Sequence, residues 1–461
     1  MYRAISVLLS GLLLFSSVSC SGKSASEESK QESSVISQPE SSELEVPKEP
    51  ENPSKVIRLA YGYDGSPQSE AVKNWLEQSA QTWDYNGVTI ELMETPFVQE
   101  VQTTITDARE NGETPPDITT GFSAIYPMWA SDSEMHKACY LEIDHYLKDY
   151  PEWDDGSLFE GAKTGGQYKG KVYAVPYSMR SYGVLWYHKG ILEQAGVDAA
   201  AIESWEDVLE VIQAVQNLCP EVLPLYYDDP SGYLFNSILF ANGGSLMDEN
   251  GDYDVDNPQI EDSLRYYQEL MDLGLNPGAG KGEYSFADGT LAMALGNSGY
   301  IYDYTEQGAS PWPEYSEQLG VMAIPARESN ESNWSTALGM DCFLVTRESG
   351  NPRAAVDFIM HCMKPENYKT VASYVTDAAV SSKAIDTPEY QTIPFQTEIT
   401  QILAKGNKLN FNFGLEDDAF NRAAGDMVKR VIDSRMAPKD AIEQFREDMA
   451  LYLKEEKSAK E

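Results

Sequence analysis

The residues with the most chemical reach are those expected at the carboxyl ends of strands. Val56 to Tyr61 and Val88 to Met93 read as strands, so Tyr61, Tyr63 and Asp64 follow the first of them. Phe122 and Ser123 follow a further strand that passes through Asp117-Ile118. In α/β sheets a ligand meets the carboxyl ends of the strands. Flat aromatic faces beside carboxylates, amides and guanidinium groups suit a ring with an apolar C–H face and a rim of hydroxyls.

Bond-breaking chemistry finds no comparable set. His136, His145, His188 and His361 are isolated and lack metal-ligand spacing. Asp248-Glu249-Asn250-Gly251-Asp252 resembles a calcium loop only superficially, because the glycine comes too early and Gln259 stands where the closing Glu belongs. A hairpin turn is expected there. No phosphate-cradling loop occurs, and neither Gly121-Phe122-Ser123 nor Gly296-Asn297-Ser298-Gly299 completes a nucleophile elbow. Acidic residues are too abundant to single out a hydrolytic pair. The expectation is a binding protein with no metal and no cofactor, not an enzyme.

The elements that would position these residues follow a regular pattern. Between the first two strands runs a helix with Val72, Trp75 and Leu76 on one face. Ser204 and Asp207 form a capping-box start, followed by Trp205, Val208, Leu209, Ile212 and Val215 at helical spacing. Asn257-Pro258 opens another helix, with Ile260, Leu264, Tyr267 and Met271 inward and Gly274 as its stop. Asn351-Pro352 repeats that start, and a last helix carries Ile442, Phe445, Met449 and Tyr452. Alternation of strands and helices predicts a parallel sheet covered by helices.

Of the body cysteines, Cys342 opens an apolar strand-like run and Cys362 lies on an apolar helix face, so buried free thiols are expected at Cys139, Cys219, Cys342 and Cys362. The formal charge of −40 repels nucleic acid and anionic lipid. It would draw in a cationic ligand, although dispersed acidity also serves as a solvated surface.

At the N-terminus, Arg3 precedes an apolar run from Ala4 to Phe15, shorter than the ~20 residues that span a bilayer. The run ends in Ser17-Val18-Ser19-Cys20, which resembles the lipobox of bacterial lipoproteins, with Ser17 where Leu is usual. That resemblance implies a signal peptide over residues 1–19 and acylation of Cys20, an anchor on the outer face of the cell membrane. Residues 20–55 form a lipidated, disordered tether rich in Ser, Glu, Pro, Lys and Gln. A coil of that length spans roughly 30 to 35 Å. The remaining body, of about 400 residues, exceeds what one core usually supports.

Residues 173–196, YAVPYSMRSYGVLWYHKGILEQAG, resemble the segment of family 1 extracellular solute-binding proteins in which a Pro-containing crossover leads to a strand, an aromatic pair and a short helix. Others follow in the family's order: Pro116-Asp117-Ile118, Tyr140-Leu141-Glu142-Ile143-Asp144, the capped helix from Ser204, Gly243-Gly244, Phe286-Ala287-Asp288-Gly289, Gly320 to Pro325, and the Ala354-Ala355 helix. The resemblance implies a two-lobed periplasmic-binding-protein-like (type II) α/β fold, each lobe a sheet flanked by helices, with the ligand cleft between lobes. Lobe one would hold 56–178 and 325–368, lobe two 180–322 and 370–455, with a hinge near Pro176 to Arg180.

Laid over the cleft, the resemblance adds Tyr177 and Arg180 at the crossover, Tyr233 and Asn236 before the glycine pair, and Tyr300, Trp334, Asp341 and Phe420 to Tyr63, Asp64 and Phe122. The family's position at Arg180 is often acidic, and Tyr300 replaces a usual Trp. The implied role is capture of a carbohydrate by a monomer and its delivery to the membrane permease of an ABC importer. Alternatives are a non-sugar, cationic solute in the same fold, a surface glycan hydrolase, and an adhesive or sensory lipoprotein.

Overall fold

Among the described residues there are eleven strands, nine of which form two main sheets. They are β1 (Val56–Gly62), β2 (Thr89–Thr95), β3 (Ile118–Phe122), β4 (Gln167–Tyr168), β5 (Lys171–Val172) and β6 (Ala174–Ser181), then β7 (Val184–His188), β8 (Leu223–Tyr227), β9 (Leu291–Gly296), β10 (Leu319–Ala323) and β11 (Leu338–Val345). The computed structural model describes residues 49–96, 101–123, 130, 137–168, 170–181, 183–227, 233–246, 256–298, 317–328, 336, 338–372, 378–391, 395–405 and 417–460. Residues 1–19, Cys20 and most of the tether lie outside them, as do the expected hairpin turn at 248–252 and His136. No described helix is long and apolar enough to cross a membrane.

The first sheet has the order β2-β1-β3-β11-β6 and the second β10-β7-β9-β8, while β4 and β5 pair alone. Both main sheets are mixed rather than purely parallel. β1 runs parallel to β2 and β3, but β11 is antiparallel to both β3 and β6. The cause is connectivity. β6 ends the first sheet at Ser181 and β7 opens the second at Val184, whereas the chain returns from β10 to β11 and so re-enters the first sheet from the opposite end.

Central strands buried on both faces read as near-continuous apolar runs. β11, LGMDCFLV, is buried at every position. The helix Pro67–Thr82 is started by Ser66, whose side chain accepts the Ser69 amide, and by Pro at its first turn. Its inward Trp75 meets Tyr177, Phe343 and Tyr368 at ring separations of 5.4, 5.5 and 6.0 Å. The Ser204–Asp207 capping box is formed as expected, and Asn351 caps Pro352–Cys362. Gly274 follows Gln259–Asp272 with φ of 84°, a stop that favours glycine. All four described cysteines are free thiols, and all but the partly exposed Cys219 are buried.

Two apolar cores result. The first gathers Trp75, Trp153, Phe343 and Phe358 about the first sheet and extends to Trp186, Ala294, Leu319 and Ala323 of the second, and the other gathers Trp205, Phe235, Tyr266, Met427 and Phe445. Residues 370–455 were all expected in the second lobe, and the helices Asp417–Asp433 and Pro438–Lys460 do pack in the second core. Tyr390, Phe395, Ile399, Ile402 and Leu403 lie in the first core, which holds residues of both sheets. Local pairing ties this segment to both sheets: Ala378 exchanges backbone hydrogen bonds with Met179 of β6, and Phe395 meets Trp186 of β7 edge-on at 5.2 Å.

Candidate ligand-binding site

The parallel pairing of β1 with β3 sets their carboxyl ends side by side. Antiparallel β11 then brings Asp341 opposite Phe122 on one side and opposite Ser178 on the other, with a register shift between Asp341 and Cys342. Such irregularities re-aim side chains at functional edges. Ser178 and Arg180, two residues apart on β6, share a face. Arg180 Nη2 donates to Asp341 Oδ2 at 2.8 Å, and Ser178 Oγ donates to the same oxygen at 3.0 Å. The Arg180 guanidinium lies 5.6 Å from the Phe122 ring centroid. The Arg180 side chain remains 30 % exposed while that of Asp341 is 12 % exposed, so the cation faces outward from a held carboxylate.

A second group stands at the ends of β1 and β2. Lys73 Nζ donates to Glu94 Oε1 at 2.7 Å and lies 4.8 Å from the centroid of the Tyr63 ring. Tyr61 Oη donates to the same Glu94 oxygen at 3.3 Å, and Tyr63 Oη donates to Glu70 at 2.8 Å. The Lys73 ammonium holds the Glu94 carboxyl below its usual range. Burial, then the nearby Glu94, push the Tyr61 phenol well above its own, and the Glu70 carboxylate raises the Tyr63 phenol by accepting its hydrogen bond. Asp64 accepts the Ser66 amide at 2.9 Å, and hydrogen bonds from Ser66 lower its carboxyl pKa. Both clusters present aromatic rings with paired, oriented polar groups. Aromatic faces beside oriented polar groups are chemically suited to stacking on and hydrogen bonding with a polyhydroxylated ring.

Phe122, Arg180 and Asp341 are thus brought together, and Tyr63 and Asp64 stand at the neighbouring strand end. Tyr177 does not join them. Its ring is 3 % exposed and packs on Trp75 and Phe343, because side chains alternate along β6 and Tyr177 points to the face opposite Ser178 and Arg180. Asn236 is buried in the helix Tyr233–Ala241, whose Phe235, Ile238 and Leu239 belong to the second core. Tyr233 begins that helix and Phe420 lies in Asp417–Asp433, but neither side chain is among those described, and Tyr300 and Trp334 lie outside the described residues. Sequence reasoning missed Glu94, Lys73 and Ser178. The strand-end rule applied to β2 would have found Glu94. Among the described residues no cluster of metal-ligating side chains occurs. A separate pocket of about 40 Å³, lined by Trp153, Leu158, Val175, Met360, Met363 and Lys383 among others, shares none of the strand-end residues.

Two sheets joined by crossovers, with aromatic and paired polar groups at strand ends, define a two-lobed solute-binding architecture. Residues 77–395 match the family described as bacterial extracellular solute-binding protein, and the chain belongs to that family. Its members act outside the cytoplasm. Among curated relatives, the arabinooligosaccharide-binding protein of Halalkalibacterium halodurans is 24% identical over 200 residues, 42% of this chain and 43% of that protein. A probable ABC transporter-binding protein of Deinococcus radiodurans is 24% identical over 309 residues, 61% of this chain and 69% of that one. The chain therefore matches less than half the length of the first of these relatives.

Among solved structures, the sugar-binding protein MalE from Xanthomonas citri superimposes with a TM-score of 0.71 at 14% identity, covering 88% of this chain and 99% of that one. The cyclic α-maltosyl-1,6-maltose binding protein from Arthrobacter globiformis gives 0.67 at 16% identity, covering 88% and 100%. Both likenesses establish the two-lobed α/β fold.

Proposed function

We propose that this protein captures a neutral mono- or oligosaccharide between its lobes and delivers it to the permease of an ABC importer, without chemical turnover. The observation that carries the reading is the strand-end constellation, in which the Phe122 ring, the Arg180 guanidinium and the Asp341 carboxylate meet. The relatives' names support it, since they are binding proteins and include two for arabinooligosaccharides. Within this reading Tyr63, Asp64, Tyr233, Tyr300, Trp334 and Phe420 extend the site, Cys20 carries the lipid anchor, and the body acts as a monomer. More than one acyl chain gives stable anchoring where a single chain does not, and an anchored receptor stays near its permease.

A thermal-shift panel on residues 21–461 tests the ligand class. A ligand that binds only the folded state adds about 2.7 kcal/mol at 100 times its dissociation constant. Arabinotriose, maltotriose or mannotriose should raise Tm, and putrescine should not. A rise with putrescine alone would overturn the carbohydrate reading. Mass spectrometry of the Cys20 peptide after growth on labelled glycerol checks the anchor: a labelled glyceryl group retained on the sulfur is expected, and an unmodified Cys20 would overturn it.

A further inference from the structure

At the junction of the two sheets lies a set of hydroxyls that the ligand site does not use. Ser181, at the end of β6, exchanges backbone and side-chain bonds with Ser298 beyond β9: its amide donates to Ser298 Oγ at 3.1 Å, and the Ser298 amide donates to its carbonyl at 2.8 Å. Ser181 Oγ pairs with Thr336 Oγ1 at 2.6 Å and accepts the Gly183 amide at 3.1 Å. Thr336 lies on the return from β10 to β11, and its hydroxyl reaches the Gly183 carbonyl at 2.9 Å and Ser237 Oγ of the helix Tyr233–Ala241 at 3.4 Å. Ser181, Ser237 and Ser298 are fully buried, and Thr336 is 1 % exposed.

These groups join the outgoing crossover, the returning crossover and a helix of the second core. Gly183 makes the approach possible, because a Cβ there would collide with Ser237 Cβ and lie 2.6 Å from its Oγ. The Thr336 hydroxyl lies within hydrogen-bond reach of three oxygens, Ser181 Oγ at 2.6 Å, Gly183 O at 2.9 Å and Ser237 Oγ at 3.4 Å, and Ser181 Oγ reaches the same Gly183 carbonyl at 3.1 Å, so the hydroxyls form one connected network. At such burial an unpaired hydroxyl is costly, and the network pairs each of these groups within the protein. Flanking clamps hold the crossovers on either side: Arg327 pairs with Glu269 through two bonds of 3.0 Å on the second core, and Arg180 pairs with Asp341 on the first sheet.

We infer that Ser181, Thr336 and Ser237 form a buried hydroxyl clasp that sets the angle between the lobes before any ligand arrives. Its bonds reach both crossovers and the helix Tyr233–Ala241 at once, so the clasp ties both crossovers to a common movement. The inference does not depend on what the ligand is.

The test uses small-angle X-ray scattering on ligand-free residues 21–461, with the Tm of each variant recorded. Thr336→Val keeps the side-chain shape and removes the hydroxyl. Losing one net hydrogen bond should move the population away from the angle described here by about fivefold, whereas Thr336→Ser should scatter as wild type does. Unchanged scattering of folded Thr336→Val would overturn the inference, even with a lowered Tm, because the hydroxyls would then be structural only. Should Thr336→Val not fold, Ser237→Ala removes the 3.4 Å contact to Thr336 and leaves the bonds among Ser181, Thr336 and Gly183 in place. A scattering change in that variant supports the clasp, and wild-type scattering overturns it. Failure of every sugar to bind would refute the proposed ligand class and leave this result standing.

Discussion

Substitution of Asp341 by Asn should cost about 2 kcal/mol of stability, a figure set by where its ion pair sits. Exposed pairs contribute roughly 0 to 1 kcal/mol, and breaking a buried one costs roughly 3 to 5. With side chains 30 % and 12 % exposed and two donors on one oxygen, the Arg180–Asp341 pair lies between those limits. Asp341→Asn keeps an oxygen acceptor for Ser178 but leaves the guanidinium against Phe122 without its counter-charge. Arg180→Met removes the cation and keeps much of the apolar stem. Differential scanning calorimetry of wild type, both single variants and the double variant should yield a coupling of about 1 to 2 kcal/mol, because residues sharing a hydrogen bond do not behave additively. Additivity within about 0.3 kcal/mol would refute the reasoning that Asp341 holds Arg180 in place. If the pair also presents Arg180 to ligand, both single variants weaken sugar binding, and the double variant is no weaker than Arg180→Met.

Further outcomes follow from other parts of the fold. Trp75→Ala removes a fully buried ring packed on Tyr177 and Phe343 and should cost about 3 to 5 kcal/mol by thermal or urea unfolding. Tyr300→Ala should weaken sugar binding more than tenfold by titration with an unchanged melting profile, and unchanged affinity would remove Tyr300 from the site. His188 accepts the Ile191 amide through Nδ1 at 3.3 Å, and burial lowers its pKa below the ordinary 6.5. The unfolded chain therefore binds its proton first as pH falls. The stability contribution is complete above about pH 6.5 and is lost as pH drops toward the folded value, with a slope of at most about 1.4 kcal/mol per pH unit for one proton. His188→Asn should flatten that part of a Tm-against-pH curve, and an unaltered curve would show that His188 does not titrate on unfolding.

Local features were readable in the sequence because their causes are local. Ser204 with Asp207 and Asn351 before Pro352 define helix starts through bonds spanning three residues, and both formed as read. The strand-end rule found Phe122 and Asp64. Tyr177 was misplaced because the resemblance located a segment but not the phase of its alternation, and one residue of phase decides whether a side chain meets the core or the cleft. The mixed sheets and the place of Phe395 depend on where a chain re-enters after crossing. Arg180 and Asp341 were each singled out, yet their contact spans 161 residues and rests on the register of β6 against β11. Nothing short of that register shows that the carboxylate is held by the cation. The same holds for the hydroxyl junction, whose Ser, Thr and Gly are individually unremarkable residue types.

The central claim, capture of a neutral sugar without turnover, is tested most directly by isothermal titration calorimetry of residues 21–461 with arabinotriose, maltotriose and mannotriose, followed by chromatography of each mixture. The account predicts saturable one-to-one binding of at least one of these sugars, loss of that binding in Arg180→Met, and recovery of the sugar intact. Absence of heat with all three, or recovery of cleaved sugar, would contradict it.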